Sequence, residues 1–121
     1  MIGGMIPPFP YRTVPCDPAD VMTVDPEGED QRCVCGSRSF IDSWAVADAT
    51  GRITIEAQAS TDPDEYVVCH GCARIYRNRD LFEAGPANGY AAPCVGRYDE
   101  TDPAFVADAQ TFSLAAYGGP A

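Results

Sequence analysis

Apolar and polar residues alternate in the middle of the chain. In the segment RITIEAQA, the apolar residues at positions 53, 55, 57 and 59 are separated by polar ones, which is the pattern of a strand with one buried face. The preceding segment SFIDSWAVAD places Phe40, Trp44 and Val46 on one face, and the intervening DATG is typical of a turn. The run EYVV ahead of Cys69 predicts a third strand. This pattern predicts a small β fold built around a β-hairpin.

Prolines divide the chain into three segments. Six of the eleven prolines lie before residue 27, four lie after residue 85, and only Pro63 lies between them. Because proline fixes φ and removes a hydrogen-bond donor, Pro-rich segments tend to be extended or turn-rich. We therefore predict an extended N-terminal arm over residues 1–30, a folded domain over residues 31–80 and an extended C-terminal arm over residues 81–121. The best helix candidate, near residues 80–84, is short.

Two close pairs of cysteines flank the predicted hairpin. Cys33 and Cys35 precede it and are followed by Gly36, whereas Cys69 and Cys72 follow the third predicted strand. Zinc takes four ligands at the corners of a tetrahedron, and deprotonated cysteines bind it well. Two tight turns that each present two sulfur atoms can enclose one such ion when a hairpin brings them face to face. A glycine after the second cysteine permits left-handed backbone angles, so that amide groups can point at sulfur.

At these positions the sequence resembles a zinc ribbon over residues 31–78. The resemblance lies in the flanks CGSRSF and VVCHGCARIY and in six knuckle residues, Cys33, Cys35, Gly36, Cys69, Gly71 and Cys72. It implies a zinc-ribbon β-hairpin core with one structural zinc ion bound by Cys33, Cys35, Cys69 and Cys72. The first pair is one residue shorter than the usual Cys-x-x-Cys, so Cys16 and Cys94 stay open as alternative ligands.

The remaining cysteines and the histidine have simpler interpretations. Cys16 and Cys94 lie beside prolines and are predicted to be small apolar residues or free thiols, with a disulfide between them as the alternative. His70, the only histidine, is predicted to be an exposed knuckle residue rather than a ligand. Because a histidine can lower the pKa of a neighbouring thiol, a Cys-x-x-Cys oxidoreductase is a further alternative. It is disfavoured because no helical stripe follows Cys72 and no βαβ pattern precedes it.

Charge limits the class of partner. The chain carries 18 acidic and 8 basic residues, a formal net charge of −10. Proteins that bind a phosphate backbone use basic residues to displace counterions, so a nucleic-acid partner is not expected. We predict that the basic group Arg74, Arg77 and Arg79 pairs with the chain's own carboxylates. No apolar run approaches the roughly 20 residues that span a bilayer, and the N-terminus lacks the pattern of a secretory signal, so no membrane association is expected.

Aromatic residues are concentrated outside the predicted zinc domain. Of five Phe, one Trp and six Tyr, eight residues lie outside residues 31–80. Rings spaced along extended segments suit docking into pockets on another protein. We predict partner-binding roles for Phe9, Tyr11, Tyr90, Tyr98, Phe105, Phe112 and Tyr117.

These features together predict a non-enzymatic assembly protein. All eight basic residues are Arg, and Ala, Gly, Pro, Asp and Val are abundant, as in proteins encoded by the GC-rich genomes of actinobacteria and their phages. We expect a minor virion component of such a phage, a capsid decoration or head–tail connector protein that docks on other subunits. The alternative is a cytoplasmic zinc-ribbon adaptor in a transcription or modification complex, and a thiol-disulfide oxidoreductase comes third.

Overall fold

The described part of the chain contains seven short strands and two helices. The computed structural model describes residues 9–17, 19–24, 31–36, 45–55, 62–69, 71–83, 89 and 91–117. In chain order the elements are β1 (Met22–Val24), β2 (Gln31–Arg32), β3 (Ala45–Ala47), β4 (Tyr66–Val68), β5 (Arg74–Arg77), α1 (Asn78–Glu83), β6 (Ala91–Ala92), β7 (Cys94–Arg97) and α2 (Pro103–Tyr117).

The strands form two antiparallel sheets. The smaller sheet has the order β2-β1-β6, and the larger has the order β3-β4-β5-β7. In the larger sheet Ala45 pairs with Val68, and Val68 in turn pairs with Ile75. The predicted small β fold is therefore confirmed, and so is the predicted third strand, which is β4.

The larger sheet is covered on both faces. Side chains alternate between the faces of a strand, and along β4 they enter two different clusters of buried residues. Tyr66 and Val68 belong to the aromatic core, which comprises Tyr11, Ala45, Ala47, Ile53, Tyr66, Val68, Ala73, Ile75, Tyr98, Phe105, Ala109 and Phe112. Val67 and Cys69 belong to the cysteine core, which comprises Met22, Cys33, Val67, Cys69, Cys72, Tyr76, Leu81, Ala92 and Cys94. A strand buried on both faces is apolar throughout, which explains the unbroken run YVVC.

The C-terminal part of the chain is helical rather than extended. α2 begins at Pro103, directly after Asp102, whose side chain accepts a hydrogen bond from the backbone N–H of Ala104 at 3.0 Å. Phe105 and Phe112 on this helix are buried in the aromatic core. The predicted extended arm is therefore wrong for residues 103–117. Proline is well suited to the first position of a helix, because its missing N–H would have no partner there.

The described part of the N-terminal segment, residues 9–17 and 19–24, is largely extended, but it is part of the folded unit. Thr13 forms an antiparallel bridge with Tyr98, and the N–H of Val14 donates to the carbonyl of Arg97 at 2.9 Å. Farther along, β1 pairs with β6. The predicted separation of this segment from the folded domain is therefore wrong, because the segment is hydrogen-bonded to β7 and β6.

The predicted turn at residues 48–51 is confirmed. The N–H of Gly51 donates to the carbonyl of Asp48, and the N–H of Asp48 donates to Arg52, both at 2.9 Å. Gly51 has φ +92°, and a Cβ there would lie 2.5 Å from the ring of Phe9, so only glycine fits. Beyond the turn, Ile53 makes a single bridge to Ala47.

Several sequence predictions fall partly outside the described residues. These are the remainder of the predicted strand, at 56–59, and the aromatic residues Phe40 and Trp44. The short helix candidate near residues 80–84 overlaps α1, which spans Asn78–Glu83. Across the described ranges, neither helix has the length and apolar character needed to cross a bilayer.

Candidate metal centre

The first cysteine pair lies in a tight turn after β2. Cys33 follows Arg32 directly, and its carbonyl accepts a hydrogen bond from the N–H of Gly36 at 2.9 Å. Gly36 has φ +102°, a left-handed conformation that glycine adopts without a steric penalty. Val34, between the two cysteines, is 51% exposed. The turn therefore buries Cys33 and leaves Val34 and Cys35 on its outer side.

The second cysteine pair lies at the tip of the β4–β5 hairpin. The N–H of Ala73 donates to the carbonyl of Cys69 at 2.8 Å, and the N–H of Cys69 donates to Arg74 at 2.9 Å. Ala73 has a positive φ of 64°, which turns the chain back into β5 directly after Cys72. The pairing of β4 with β5 thus holds the second pair of sulfur atoms in place.

The four sulfur atoms converge on one point. The Sγ atoms of Cys33 and Cys72 are 3.5 Å apart, and so are those of Cys35 and Cys69. All four lie within 4.8 Å of one another. Four ligands at about 2.3 Å from a central ion in a tetrahedron would be about 3.8 Å apart. The separations also exceed the roughly 2.05 Å of a disulfide bond, and all four cysteines are free thiols. This arrangement is suited to a metal ion.

The cluster is buried except on one side. Cys33, Cys69 and Cys72 are at most 5% exposed, whereas Cys35 is exposed. Hydrogen bonds with Cys69 and then with Cys72 lower the pKa of Cys33. Hydrogen bonds with Cys33 and then with Cys72 raise the pKa of Cys69. Four adjacent thiols cannot all ionise without a cation to offset their mutual repulsion. A divalent ion with a preference for soft thiolate ligands would supply that charge.

Three side chains next to the cluster support its sulfur atoms. The hydroxyl of the fully buried Tyr76 lies 3.2 Å from Cys33 Sγ, and burial followed by this hydrogen bond raises the pKa of Tyr76. Arg74 hydrogen-bonds the Cys72 sulfur and also pairs with Asp20 at 3.0 Å. Arg97 Nε donates to the Cys72 carbonyl at 2.9 Å. Such groups orient the ligands of a metal site and adjust its charge.

Sequence reasoning missed these supporting residues. Arg74 and Tyr76 alternate with the aromatic-core residue Ile75 on β5, so the period of two places both on the face occupied by the cysteines. That signal is present in the sequence ARIYR. We instead predicted that Arg74, Arg77 and Arg79 pair with the chain's own carboxylates, which is confirmed by ion pairs to Asp20, Asp80 and Asp64, respectively.

The structure brings together the four predicted ligands and leaves out the two alternatives. Cys16 and Cys94 pack in the cysteine core but are not members of the four-sulfur group. Burial, followed by a hydrogen bond with Cys16, raises the pKa of Cys94 to about 12. His70 lies outside the described residues.

The predicted partner-binding rings lie mainly inside the protein. Tyr11, Tyr98, Phe105 and Phe112 are at most 7% exposed and belong to the aromatic core. Phe9 is half-buried and packs edge-on against Tyr98, with ring centroids 5.5 Å apart. The prediction that extended arms present these rings is wrong, because the rings pack against one another. Tyr117 ends α2, and Tyr90 lies outside the described residues.

Comparison with known proteins identified no relative. No protein-family model, curated protein or solved structure matches the chain. Functional inference therefore depends on the four-sulfur site and the surface around it.

Proposed function

We propose that the protein is a non-enzymatic assembly subunit whose fold is held by one zinc ion bound to Cys33, Cys35, Cys69 and Cys72. The observation that carries this proposal is the convergence of four free thiols within 4.8 Å. Four thiolates in tetrahedral geometry suit zinc, and a site with four protein ligands has no open position for water or substrate. The ion would therefore be structural.

An oxidoreductase has less support from the same geometry. A reactive Cys-x-x-Cys of the thioredoxin type lies at the start of a helix within a βαβ unit. Here Cys72 is followed by Ala73 and then by strand β5. Moreover, Cys69 and Cys72 each have a sulfur atom of the first pair 3.5 Å away. Both thiols would be occupied as metal ligands rather than free to exchange.

The charge distribution favours a protein partner over nucleic acid. Six of the eight arginines form ion pairs with carboxylates of the described residues, at Arg12, Arg52, Arg74, Arg77, Arg79 and Arg97. With a net charge of −10, the surface has little unpaired positive charge to meet phosphates.

Exposed apolar side chains provide the contact points that the buried aromatic residues cannot. Val34, Ile55, Phe82 and Leu114 are between 51% and 59% exposed. Large apolar residues at the centre of an interface supply much of its binding energy. We assign docking to these positions on the folded surface in place of the extended arms predicted from the sequence.

More specifically, we propose that the protein is a minor virion component of an actinobacterial phage, either a capsid decoration or a head–tail connector. It is supported by composition, since all the basic residues are arginine, as expected of a GC-rich genome. The alternative function is that of a cellular zinc-ribbon adaptor, and the experiments below distinguish the two.

Metal analysis tests the zinc site. Full-length protein made in zinc-sufficient medium and purified without chelator should contain one zinc ion per chain, and Cys72→Ser should contain almost none. Cobalt substituted for zinc should give the absorption spectrum of a tetrahedral thiolate complex. Iron, or protein without metal and with a Cys69–Cys72 disulfide, would exclude the site.

Fractionation of material from the natural source tests the assembly role. The protein should sediment with a large particle, and Phe82→Asp and Leu114→Asp should prevent incorporation while the zinc content stays unchanged. Gln110→Asp is the matched control, because Gln110 is an exposed polar residue on the same helix as Leu114. Recovery of the wild type and of Gln110→Asp only as a free chain of 12.9 kDa would contradict the proposal, and their recovery with cellular complexes would indicate the adaptor.

A further inference from the structure

The N-terminal segment runs antiparallel to β7, and this pairing brings Cys16 near Cys94 although the two residues are far apart in the sequence. Thr13 is bridged to Tyr98, and the N–H of Val14 donates to Arg97. Continuing this register by three residues sets Cys16 opposite Val95, the neighbour of Cys94 at the start of β7. The main-chain pairing thus brings Cys16 near Cys94.

The two thiols are close neighbours. Cys94 Sγ donates to the carbonyl of Asp17, the residue after Cys16, at 3.1 Å. Both side chains pack in the cysteine core. They are free thiols, so the contact is non-covalent as it stands.

This pair is separate from the metal centre. The chain has six cysteines, and four of them form the sulfur cluster. A tetrahedral zinc ion needs no fifth or sixth thiolate. Bound zinc would keep its four ligands from reacting, which leaves Cys16 and Cys94 as the one pair of adjacent thiols available for oxidation.

We propose that Cys16 and Cys94 form an intramolecular disulfide by exchange with a small-molecule disulfide such as glutathione disulfide. Cys16 is half-buried and Cys94 is 3% exposed, so Cys16 is the residue that the reagent can reach first. The pair is thus a site of reversible oxidative modification next to the metal centre. This inference goes beyond the assembly role and does not depend on the identity of the partner.

The exchange takes two steps that balance. The Cys16 thiolate attacks one sulfur of glutathione disulfide, forms a mixed disulfide and releases one glutathione thiolate. The Cys94 thiolate then attacks the Cys16 sulfur and releases the second glutathione. Two protein thiols are oxidised, one glutathione disulfide is reduced, and the two protons lost by the protein are taken up by the two glutathione thiolates.

The new bond would lock the N-terminal segment against β7. It would close a long loop that contains β1 to β6, and loop closure in the unfolded chain is the main way in which a disulfide stabilises a protein. Oxidation should therefore raise the midpoint of thermal unfolding of the full chain by several degrees, without releasing the metal.

Thiol mapping of the full-length, zinc-loaded protein tests the proposal. The reduced protein is equilibrated in glutathione buffers of increasing oxidised fraction and quenched with acid. It is then denatured with a chelator, alkylated and digested for peptide mass analysis. We expect a crosslink between the peptides of Cys16 and Cys94, faster migration on non-reducing gels and unchanged zinc content.

Two serine variants identify the order of attack. Cys94→Ser should accumulate a glutathione adduct on Cys16, whereas Cys16→Ser should remain unmodified because Cys94 is buried. Zinc content serves as the folding control for both variants. Alkylation of both thiols at every ratio of the glutathione buffer would overturn the proposal. So would crosslinks that involve Cys33, Cys35, Cys69 or Cys72 together with loss of zinc.

Discussion

The two faces of the larger sheet are stabilised by different means. On one face the aromatic core packs Tyr11, Tyr98 and Phe105 edge-on or tilted, with ring centroids 5.0 to 5.7 Å apart. On the other face four of the nine buried members of the cysteine core are cysteines. Large rings bury much apolar surface, whereas cysteine is small. The comparison indicates that packed rings can stabilise one half of a small domain, whereas the half built on small cysteines would gain stability from a bound metal ion.

The largest expected effect comes from removing one ligand of the cysteine core. Cys69→Ser should lose the zinc ion, because three thiolates do not complete the tetrahedron. Structural zinc binds zinc-finger peptides with apparent free energies of about 10–16 kcal/mol, comparable to the stability of a whole domain. We expect β2, β6 and the hairpin tip to lose protection from amide hydrogen exchange, measured together with the zinc content.

Cys16→Ser is the control for this comparison. It alters a cysteine of the same face that is not among the four ligands, so it should retain one zinc per chain and the exchange protection of the wild type. If Cys69→Ser kept both its zinc and its protection, the cysteine core would not depend on a metal.

A smaller but still severe effect is expected on the aromatic face. Phe105→Ala removes a buried ring at the junction of Tyr11, Tyr98 and α2, and such truncations cost about 3–5 kcal/mol. Urea unfolding of the zinc-loaded protein should show this loss, while the zinc content of the folded fraction stays at the wild-type value.

Leu114→Ala on the same helix is the matched control. Leu114 is 58% exposed, so its truncation should change the free energy of unfolding by no more than about 0.5 kcal/mol. A similar loss for both variants would mean that α2 does not pack in the orientation described.

The hydroxyl of Tyr11 ties the rings to the backbone. It accepts a hydrogen bond from the N–H of Ile53 at 3.1 Å and donates one to Asp108. Burial, followed by the bond to Asp108, raises the pKa of Tyr11. Tyr11→Phe leaves the buried N–H of Ile53 without a partner, which costs about 1–3 kcal/mol. Urea unfolding should show this loss.

Tyr66→Phe is the matched control, because it removes a hydroxyl from the same core and keeps the ring. Tyr66 belongs to the same core, and its hydroxyl makes no hydrogen bond among those described. Its replacement should therefore be close to neutral. An equal loss in both variants would assign the effect to the aromatic face as a whole and not to the Tyr11 hydrogen bonds.

The smallest effect concerns the turn beside the aromatic core. Burial opposes the charge of Asp48, but hydrogen bonds from Thr50 and from backbone N–H groups lower its pKa. A carboxyl with a lowered folded pKa stabilises the protein above its unfolded pKa, near 4, and that stability is lost as the pH falls. The advantage of wild type over Asp48→Asn, at most about 1 kcal/mol near neutral pH, should disappear in acid. An advantage that is independent of pH would contradict this account.

The features that could be predicted from the sequence are those whose pattern lies within one short segment. The four-cysteine cluster was predictable because each pair sits in one turn, as at Cys69 and Cys72, and β4 was predictable from its apolar run. α2 was missed because Pro103 was interpreted as a residue that breaks helices, whereas it begins one. The packing of Tyr11 against Tyr98 joins positions that are far apart in the sequence, and no local pattern indicates such a contact.

The pairing of the N-terminal segment with β7 also affects the order in which the chain can fold during synthesis. All four cysteines of the cluster have been translated by residue 72, so the metal can be bound while the rest of the chain is still being made. Tyr11 must wait for Tyr98 and Phe105, which are translated only after all four cysteines of the cluster. Contacts between such distant positions form slowly, and a nascent chain with unburied aromatic rings is prone to aggregate. Early metal capture would leave less of the chain unprotected during that interval.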